Sequence, residues 1–257
     1  MRIIRALFRL TLTFLAIGLG TIIILLLAPV PLRVRGVRIA AWPVRGLARF
    51  IIPLYDVHLT CEEPEKFRQQ TGFIFPNHLS YMDILLLASI LPVRFVSKAD
   101  LRSWPFIGWI AIAIDTVFVD RADKASRLEA RQKLANNVSY YPPIVLFPEG
   151  GISNSGELQP FRYGAFEIAA QGSVSYLPCV FLYDRLDIIG WTDEPLMTAL
   201  WRMATHSGPI HARLYALRPV QPTLEDDAQQ LALEAHGAMN AVLKYAGREG
   251  DVLEPDI

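Results

Sequence analysis

The chain contains 257 residues, of which 52% are hydrophobic and 19% are charged, with 25 basic and 25 acidic side chains. This composition suits one compact domain plus an appendage and excludes a disordered or collagen-like protein. Eight arginines precede the first acid, Asp56, so residues 1–55 carry a charge of +8 and the remainder −8. A basic leader before an acidic domain argues against nucleic-acid binding and favours a membrane surface.

The leader contains an uncharged run of 21 residues, Leu10 to Val30. As a helix rising about 1.5 Å per residue, this run matches the hydrocarbon thickness of a bilayer, so we expect a membrane anchor. A cleaved signal peptide is one alternative, but no A-x-A-like site follows the run. A buried core helix is another, and it would leave the arginines on both flanks without a role.

The flanking charges bear on orientation. Three arginines precede the run and five follow it. This excess places the following domain in the cytoplasm, at the inner membrane, while basic flanks on both sides also permit a re-entrant anchor.

Residues 37–55 follow the anchor and place Arg38, Arg45 and Arg49 close to one helical face. We expect an interfacial segment whose arginines and aromatic side chains face lipid headgroups, with a simple linker as the alternative because two prolines interrupt it. The predicted organisation is a membrane anchor with a basic interfacial segment, residues 1–55, followed by one domain, residues 56–257.

Short β-rich runs alternate with helical patterns after Asp56. Strands are predicted at residues 57–61, 72–75, 93–98, 115–120, 144–147, 175–183 and 210–217. Helices are predicted at residues 81–91, 124–140 and 161–171. The alternation predicts a single layered α/β domain with a central, mostly parallel or mixed sheet flanked by helices. At the C-terminus, Thr223 and Asp226 form a capping-box pattern that predicts a helix beginning there. Its apolar stripe, which begins with Leu224, is predicted to pack on the domain.

The densest chemical signal is the stretch from Phe73 to Ser89, in which a β run ends in Pro-Asn-His and a helix begins shortly after. His78 and Asp83 meet only if His78 precedes the helix and Asp83 lies in its first turn. Asp83 then fixes the imidazole tautomer, and the other nitrogen of His78 removes a proton from a hydroxyl. The alternative is that Ser80 to Asp83 only caps the helix and that His78 is a solvated loop residue.

Two further clusters follow predicted strands. Glu149 stands at a strand end before Gly150 and Gly151, which permit a tight turn, and the absence of GK[ST] excludes a P-loop. Lys98 and Arg121 each close a β run and together suit a phosphate, or else are ordinary surface charges. Cys61 and Cys179 form neither a disulfide framework nor a zinc motif, and the histidine spacing does not indicate a metal site.

In this order the clusters resemble the glycerolipid (1-acylglycerol-3-phosphate) acyltransferase family. The N-H-x4-D block of that family is matched by Asn77, His78 and Asp83. Its other blocks are matched by Phe118 to Arg121, by Phe147 to Gly150 and by Pro178. The resemblance covers residues 57 to 185 and the membrane anchor.

The resemblance implies an acyl transfer in which His78 deprotonates an acceptor hydroxyl that attacks the thioester of acyl-CoA or acyl carrier protein. It also implies that Asp83 orients His78 and that no cofactor is needed. The acceptor would contact Asn77, Glu149 and Gly150, and its phosphate would bind Arg121 and Lys98.

Two features depart from the plainest members. The position after F-P-E-G is commonly threonine and is Gly151 here, which leaves Ser153 as the nearby hydroxyl. The tail beyond residue 185 looks more like that of lyso-ornithine-lipid acyltransferases.

The expected reaction is therefore acylation of 1-acylglycerol-3-phosphate to phosphatidic acid, with lyso-ornithine lipid as the alternative acceptor. Two rival classes stay open. A serine esterase or thioesterase lacks support because no G-x-S-x-G elbow is present. A non-catalytic lipid-binding adaptor would not need an intact set of His78, Asp83, Glu149 and Arg121.

Overall fold

The computed structural model describes residues 1–120, 122–137, 141–153, 157–191 and 194–250. The strands within these residues are β1 Arg33–Val34, β2 Val37–Arg38, β3 Val57–Glu62, β4 Phe73–Pro76, β5 Arg94–Lys98, β6 Val117–Val119, β7 Ile144–Val145, β8 Tyr176–Tyr183 and β9 Ile210–Ala216. The helices are α1 Arg2–Leu27, α2 Trp42–Leu54, α3 Pro64–Gln69, α4 Met82–Ile90, α5 Ile107–Ala113, α6 Lys124–Asn137, α7 Gly164–Gln171, α8 Leu186–Ile189, α9 Leu196–Thr205 and α10 Ala228–Gly250.

The main sheet has the strand order β3-β9-β8-β4-β7-β5-β6. The pairs β3–β9, β8–β4, β4–β7, β7–β5 and β5–β6 are parallel, and β8–β9 is antiparallel. The seven predicted strands all lie in this sheet, so the predicted layered α/β fold is confirmed. β1 and β2 form a separate antiparallel pair.

Alternate residues of β4 face two hydrophobic cores, one on each side of the sheet. Ile74 packs with residues of α2 and α4 on one face. Phe73 and Phe75 pack with residues of α7 and α10 on the other. All three side chains are fully buried, which is why this strand is a continuous apolar run in the sequence.

Helix α1 is long and apolar enough to cross a membrane by length and composition. It also packs along the domain over most of its length. Near its start, Arg5 Nη1 donates to the carbonyl of His206 at 2.6 Å and Arg9 Nη1 to that of Ala204 at 3.2 Å. Near its end, Ile24 is fully buried and packs against Ile110. The opposite face of α1 is apolar and exposed, and includes Leu7, Phe8, Leu15, Leu19, Ile22 and Leu26.

Helix α2 spans most of the predicted interfacial segment. Arg45 Nε and Arg49 Nε both donate to the carbonyl of Ser89, at 3.1 and 2.9 Å, so these two side chains cover the C-terminal end of α4. Arg38 pairs with Asp115 at 2.8 Å. The arginines of this segment thus bind groups of the domain, and contact with lipid headgroups stays a prediction.

The C-terminal helix begins later than predicted. The backbone N–H of Thr223 donates to Asp226 Oδ2, but these residues form only a local turn. Helix α10 begins at Ala228, and Asp227 Oδ1 accepts from the amides of Gln229 and Gln230 in its first turn. Leu224, predicted in the buried stripe, is 74% exposed because it precedes the helix.

Candidate active site

The connections that follow β4 and β7 diverge at the carboxyl edge of the sheet, and we call the region outside these two strand ends the crevice. The chain leaves β4 towards α4, which packs with α2 on one face, and leaves β7 towards α7, which packs with α10 on the other. Neighbouring parallel strands whose connections diverge in this way create the crevice in which open α/β sheets place their ligands. His78 follows β4 and Glu149 follows β7.

His78 and Asp83 are in contact, as the sequence predicts. His78 lies in the loop before α4, and Asp83 lies in the first turn of that helix. The His78 Nδ1 and Asp83 Oδ2 atoms are 2.9 Å apart. An ionised carboxylate at this distance accepts the Nδ1 proton, so it fixes the neutral ring in the tautomer with a lone pair on Nε2.

The Asp83 carboxylate is fully buried and receives bonds on both oxygens. Oδ2 also accepts from the backbone amides of Leu79 at 2.8 Å and Ser80 at 2.9 Å. Oδ1 accepts from the hydroxyl of Tyr183, at the end of β8. Burial and the Asp83 charge raise the pKa of Tyr183 well above its ordinary value, so the phenol stays protonated as a donor. Asp83 therefore caps the loop and also orients His78.

The imidazole of His78 is held by its ring face as well as its edge. The rings of His78 and Phe147 are stacked, with centroids 3.7 Å apart and an interplanar angle of 17°. The His78 side chain is 12% exposed, and within the described residues Nε2 makes no hydrogen bond. The contacts at Nδ1 and at the ring face fix the orientation of Nε2, which stays available as a proton acceptor.

Glu149 holds the two loops of the crevice together. Its Oε1 accepts from the backbone amide of His78 at 2.7 Å, and its Oε2 accepts from that of Gln159 at 2.8 Å. The side chain is 7% exposed. Burial raises the pKa of Glu149 to about 7, against the opposing effect of these two amide donors. The predicted contact with the acceptor stays a prediction, whereas the contact with the His78 backbone is direct.

Replacing Glu149 with glutamine is expected to loosen the crevice. A carboxylate accepts on both oxygens, but an amide presents one donor, so either the His78 or the Gln159 amide loses its acceptor. The carboxyl oxygens keep these lone pairs when the group is protonated, so we expect Glu149→Gln to lower the free energy of unfolding by about 1–3 kcal/mol at pH 5, measured by urea denaturation, where ionisation of the wild-type side chain does not offset the loss. The acyl-transfer rate should fall with it, because the displaced amide belongs to His78.

The pH dependence of stability provides the control for this variant. The pKa of Glu149 is about 7 in the folded protein and about 4.5 in the unfolded chain. Its contribution to the free energy of unfolding is therefore complete below pH 4.5 and is lost as the pH rises through 7. This linkage amounts to about 3 kcal/mol. Glu149→Gln should remove that part of the pH dependence, and an identical profile in both proteins would contradict the assignment.

Asn77 joins the ends of β4 and β8. Its Nδ2 donates to the carbonyl of Phe181 at 3.0 Å, and its Oδ1 accepts from the Phe181 amide at 2.6 Å. The residue is only 1% exposed. Asn77 was predicted to contact the substrate, but its side-chain amide is buried and bonded to the backbone of β8. It therefore positions the neighbouring residue His78.

Truncating this side chain should destabilise the fold. Asn77→Ala leaves the buried N–H and C=O of Phe181 without partners, which is expected to cost about 2–4 kcal/mol of unfolding free energy. Asn77→Asp keeps an acceptor for the Phe181 amide but loses the donor, and it should fall between wild type and Asn77→Ala. Equal stability of all three proteins in urea denaturation would show that the bridge is unimportant.

The loop after Glu149 contains the remaining predicted contacts. Gly150 has a φ of +80°, and a side chain there would clash with Arg162, so glycine is required on two counts. Gly151 is exposed, with open space where a side chain would stand. Ser153 is 5% exposed, and its Oγ donates to the Glu157 carbonyl at 2.7 Å. The Ser153 hydroxyl, expected to stand in for the usual threonine, thus donates its hydrogen bond to the backbone of its own loop.

Lys98 lies on the same edge as His78. It ends β5 and is exposed. Strand β7 lies between β4 and β5, so two strand spacings of about 4.8 Å separate the end of β5 from the end of β4. Arg121, predicted beside it, lies outside the described residues. Among those residues no group of histidine, cysteine and acidic side chains could hold a metal ion.

The chain is similar to known proteins. A family model described as "Acyltransferase" matches residues 58–182. The lyso-ornithine lipid O-acyltransferase of Pseudomonas aeruginosa is 31% identical over 215 residues, which are 80% of this chain and 78% of that protein. The chain belongs to the acyltransferase family.

The acyltransferase is also similar to a 1-acyl-sn-glycerol-3-phosphate acyltransferase of Neisseria meningitidis, with 24% identity over 164 residues, covering 62% of this chain and 64% of that protein. Its fold matches the crystal structure of the 1-acyl-sn-glycerophosphate acyltransferase of Thermotoga maritima with a TM-score of 0.72 and 23% identity, covering 96% and 98% of the two chains.

Two residues of the acyltransferase site were not found from the sequence. Tyr183 is 100 positions from Asp83 and meets it only because β8 pairs with β4. Phe147 was read as the first residue of the F-P-E-G block rather than as the ring that stacks on His78. The one available signal was that Tyr183 ends a buried strand, whose carboxyl end lies at the same edge of the sheet as His78.

Proposed function

We propose that this acyltransferase esterifies the hydroxyl of a lyso-ornithine lipid, with His78 as general base. The observation that supports this chemistry is the contact between His78 Nδ1 and Asp83. Within the described residues His78 Nε2 makes no hydrogen bond. Nε2 takes the proton of the acceptor hydroxyl while the oxygen attacks the thioester carbonyl of acyl-CoA or acyl carrier protein. The tetrahedral intermediate then collapses, and the leaving thiolate takes the proton back from the imidazolium. Asp83 stabilises the imidazolium throughout, and no cofactor enters the scheme.

The length of the similarity supports the acceptor. The match to the lyso-ornithine lipid enzyme spans 215 residues, whereas the match to the Neisseria meningitidis enzyme spans 164. The second candidate, 1-acylglycerol-3-phosphate, is favoured by the exposed Lys98, because an ammonium group at the same edge of the sheet as His78 suits the phosphate of the acceptor. An ornithine headgroup presents a carboxylate to the same cation.

The packing of α1 supports attachment to one membrane surface. A helix with both ends packed against the domain cannot cross a bilayer alone, but its exposed apolar face can lie in one leaflet. In this arrangement the arginines on both sides of the apolar run face the same aqueous side. We place the enzyme at the cytoplasmic face of the inner membrane, where thioester donors and lysolipid acceptors meet.

The test is transfer of a labelled acyl group from acyl-CoA, and separately from acyl carrier protein, to each of the two acceptors in membranes containing wild type or His78→Ala. His78-dependent ornithine lipid supports the proposal. Phosphatidic acid alone would move the acceptor to the second candidate. Free fatty acid without acylated acceptor would indicate hydrolysis, and lipid binding without turnover would indicate an adaptor.

Lys98 provides a second arm of the same experiment. Lys98→Ala should raise KM for the acceptor about tenfold with little change in kcat, because it removes a charge-assisted contact far from the reacting atoms. Lys244→Ala, on the exposed side of α10, is the matched control and should leave KM unchanged. An unchanged KM in Lys98→Ala would exclude this lysine from headgroup binding.

A further inference from the structure

A second apolar surface lies outside the catalytic crevice and outside α1. The eleven residues from Trp104 to Ile114 contain no charged side chain. Within this stretch Trp104 is 36% exposed, Phe106 and Trp109 are each 45% exposed, and Ile112 is 46% exposed. We call residues 104–112 the aromatic ledge. The rings of Phe106 and Trp109 are neighbours, with centroids 5.5 Å apart. Large apolar side chains exposed together in this way indicate an interaction site rather than ordinary surface scatter.

The backbone of the ledge is strained so that Phe106 stands outward. Phe106 has φ +63° and ψ −61°, and the amide of Ile107 donates to the carbonyl of Pro105 at 2.7 Å. This is a γ-turn of the positive-φ type, which is rare and costly for a residue with a side chain. Glycine would relieve the strain, yet the position is occupied by a large apolar ring. Such strain persists where the exposed group has a use.

The ledge lies next to the C-terminal part of α1, because α5 packs against that helix. Ile110 and Ala113 of α5 are buried against Ile24, and Leu27 packs in the same cluster. The ledge also begins beside the catalytic edge, because the turn at Ala99–Ser103 directly follows Lys98. The ledge therefore lies between α1 and the short polar turn that connects it to the carboxyl end of β5.

We infer that the aromatic ledge is a second membrane-inserting element, which enters the same leaflet as α1 and sets the crevice at headgroup depth. Tryptophan prefers the interface between headgroups and acyl chains, and phenylalanine enters more deeply. A domain attached to the membrane only through α1 could rotate about the axis of that helix. A second point of insertion fixes the tilt, so a lysolipid hydroxyl can reach His78 without leaving the membrane. The inference rests on the proposed membrane-surface function.

The direct test places an environment-sensitive NBD probe on the full chain in vesicles of phosphatidylethanolamine and phosphatidylglycerol. The probe is attached at Phe106→Cys in a Cys61→Ser background, since Cys179 is fully buried and unreactive. Leu19→Cys on α1 is the positive control, and Leu224→Cys, 74% exposed before α10, is the negative control. We expect a blue-shifted emission and quenching by nitroxide-labelled lipids at position 106, at least fivefold stronger than at position 224.

The outcomes separate the possible occupants. A probe at position 106 that is quenched by aqueous iodide, while the α1 probe is quenched by lipid, would overturn the inference and leave membrane attachment intact. Shielding from both quenchers would indicate contact with another protein or a second copy, which would also overturn it. Acyl transfer measured on the labelled proteins in detergent reports the proposed function separately.

Phe106→Gly provides a test that does not use a probe. It relieves the γ-turn and removes the ring, so we expect a higher thermal midpoint together with a fall of about tenfold in acyl transfer on vesicles, while transfer in detergent micelles is unchanged. Leu224→Gly removes an exposed side chain of similar size and should leave vesicle activity unchanged. Unchanged vesicle activity in Phe106→Gly would count against the ledge as an insertion point.

Discussion

His78→Ala is expected to lower kcat about 10²- to 10⁴-fold, which is the typical contribution of a positioned general base. The imidazole is held at Nδ1 by Asp83, and its ring is stacked on Phe147, so the substitution removes a proton acceptor whose position is fixed. KM for the acceptor should change little, because the substitution removes an interaction of the transition state rather than of the bound lipid. The measurement is single-turnover transfer from labelled acyl-CoA.

A matched histidine separates this effect from a general loss of fold. His58 lies on β3 and pairs with Asp56 at 2.9 Å on an exposed surface. His58→Ala should keep wild-type kcat and a wild-type thermal midpoint. If folded, membrane-bound His78→Ala kept more than a tenth of wild-type turnover, proton removal by His78 would be wrong and the adaptor or another base would have to be considered.

The sheet was predictable because its strands are short apolar runs separated by helical patterns. Each of the seven runs after Asp56 forms a strand of the main sheet. Their lateral order was not predictable, since it depends on which connections cross which face. That order brings β8 beside β4, and only then can Asn77 reach Phe181, 104 positions away.

The His78–Asp83 contact was predictable because it is local. Five positions separate the two residues, and the break before α4 was visible at Ser80. The other contacts of the Asp83 carboxylate are also predictable only where they are local. Its bonds to the amides of Leu79 and Ser80 are local and fit the capping pattern. Its bond to Tyr183, on a distant strand, was not predictable.

Amphipathic patterns were less informative about what their polar side chains bind. Arg45 and Arg49 share a helical face, and that pattern fits lipid headgroups as well as it fits protein carbonyls. In the folded chain both bind the Ser89 carbonyl at the end of α4. Periodicity shows which residues share a helical face, but what that face contacts depends on the tertiary structure.

Asp83→Asn is expected to lower kcat about 10²- to 10⁴-fold while keeping the fold. The retained amide oxygen can accept from Leu79, Ser80 and His78, and the new NH2 can face Tyr183, whose hydroxyl rotates to accept. What is lost is the negative charge that stabilises the imidazolium formed when His78 takes the proton. Asp83→Ala should also lower stability, because it leaves buried amides unpaired.

The two residues should act as one unit, so the double variant His78→Ala/Asp83→Asn should be little slower than His78→Ala alone. Tyr183→Phe, which removes only the hydroxyl bonded to Asp83 Oδ1, is the graded control: we expect about a tenfold fall in kcat with an unchanged KM. Fully additive losses in the double variant would mean that Asp83 works independently of His78. Near-normal turnover in folded Asp83→Asn would show that the carboxylate serves only as the helix cap.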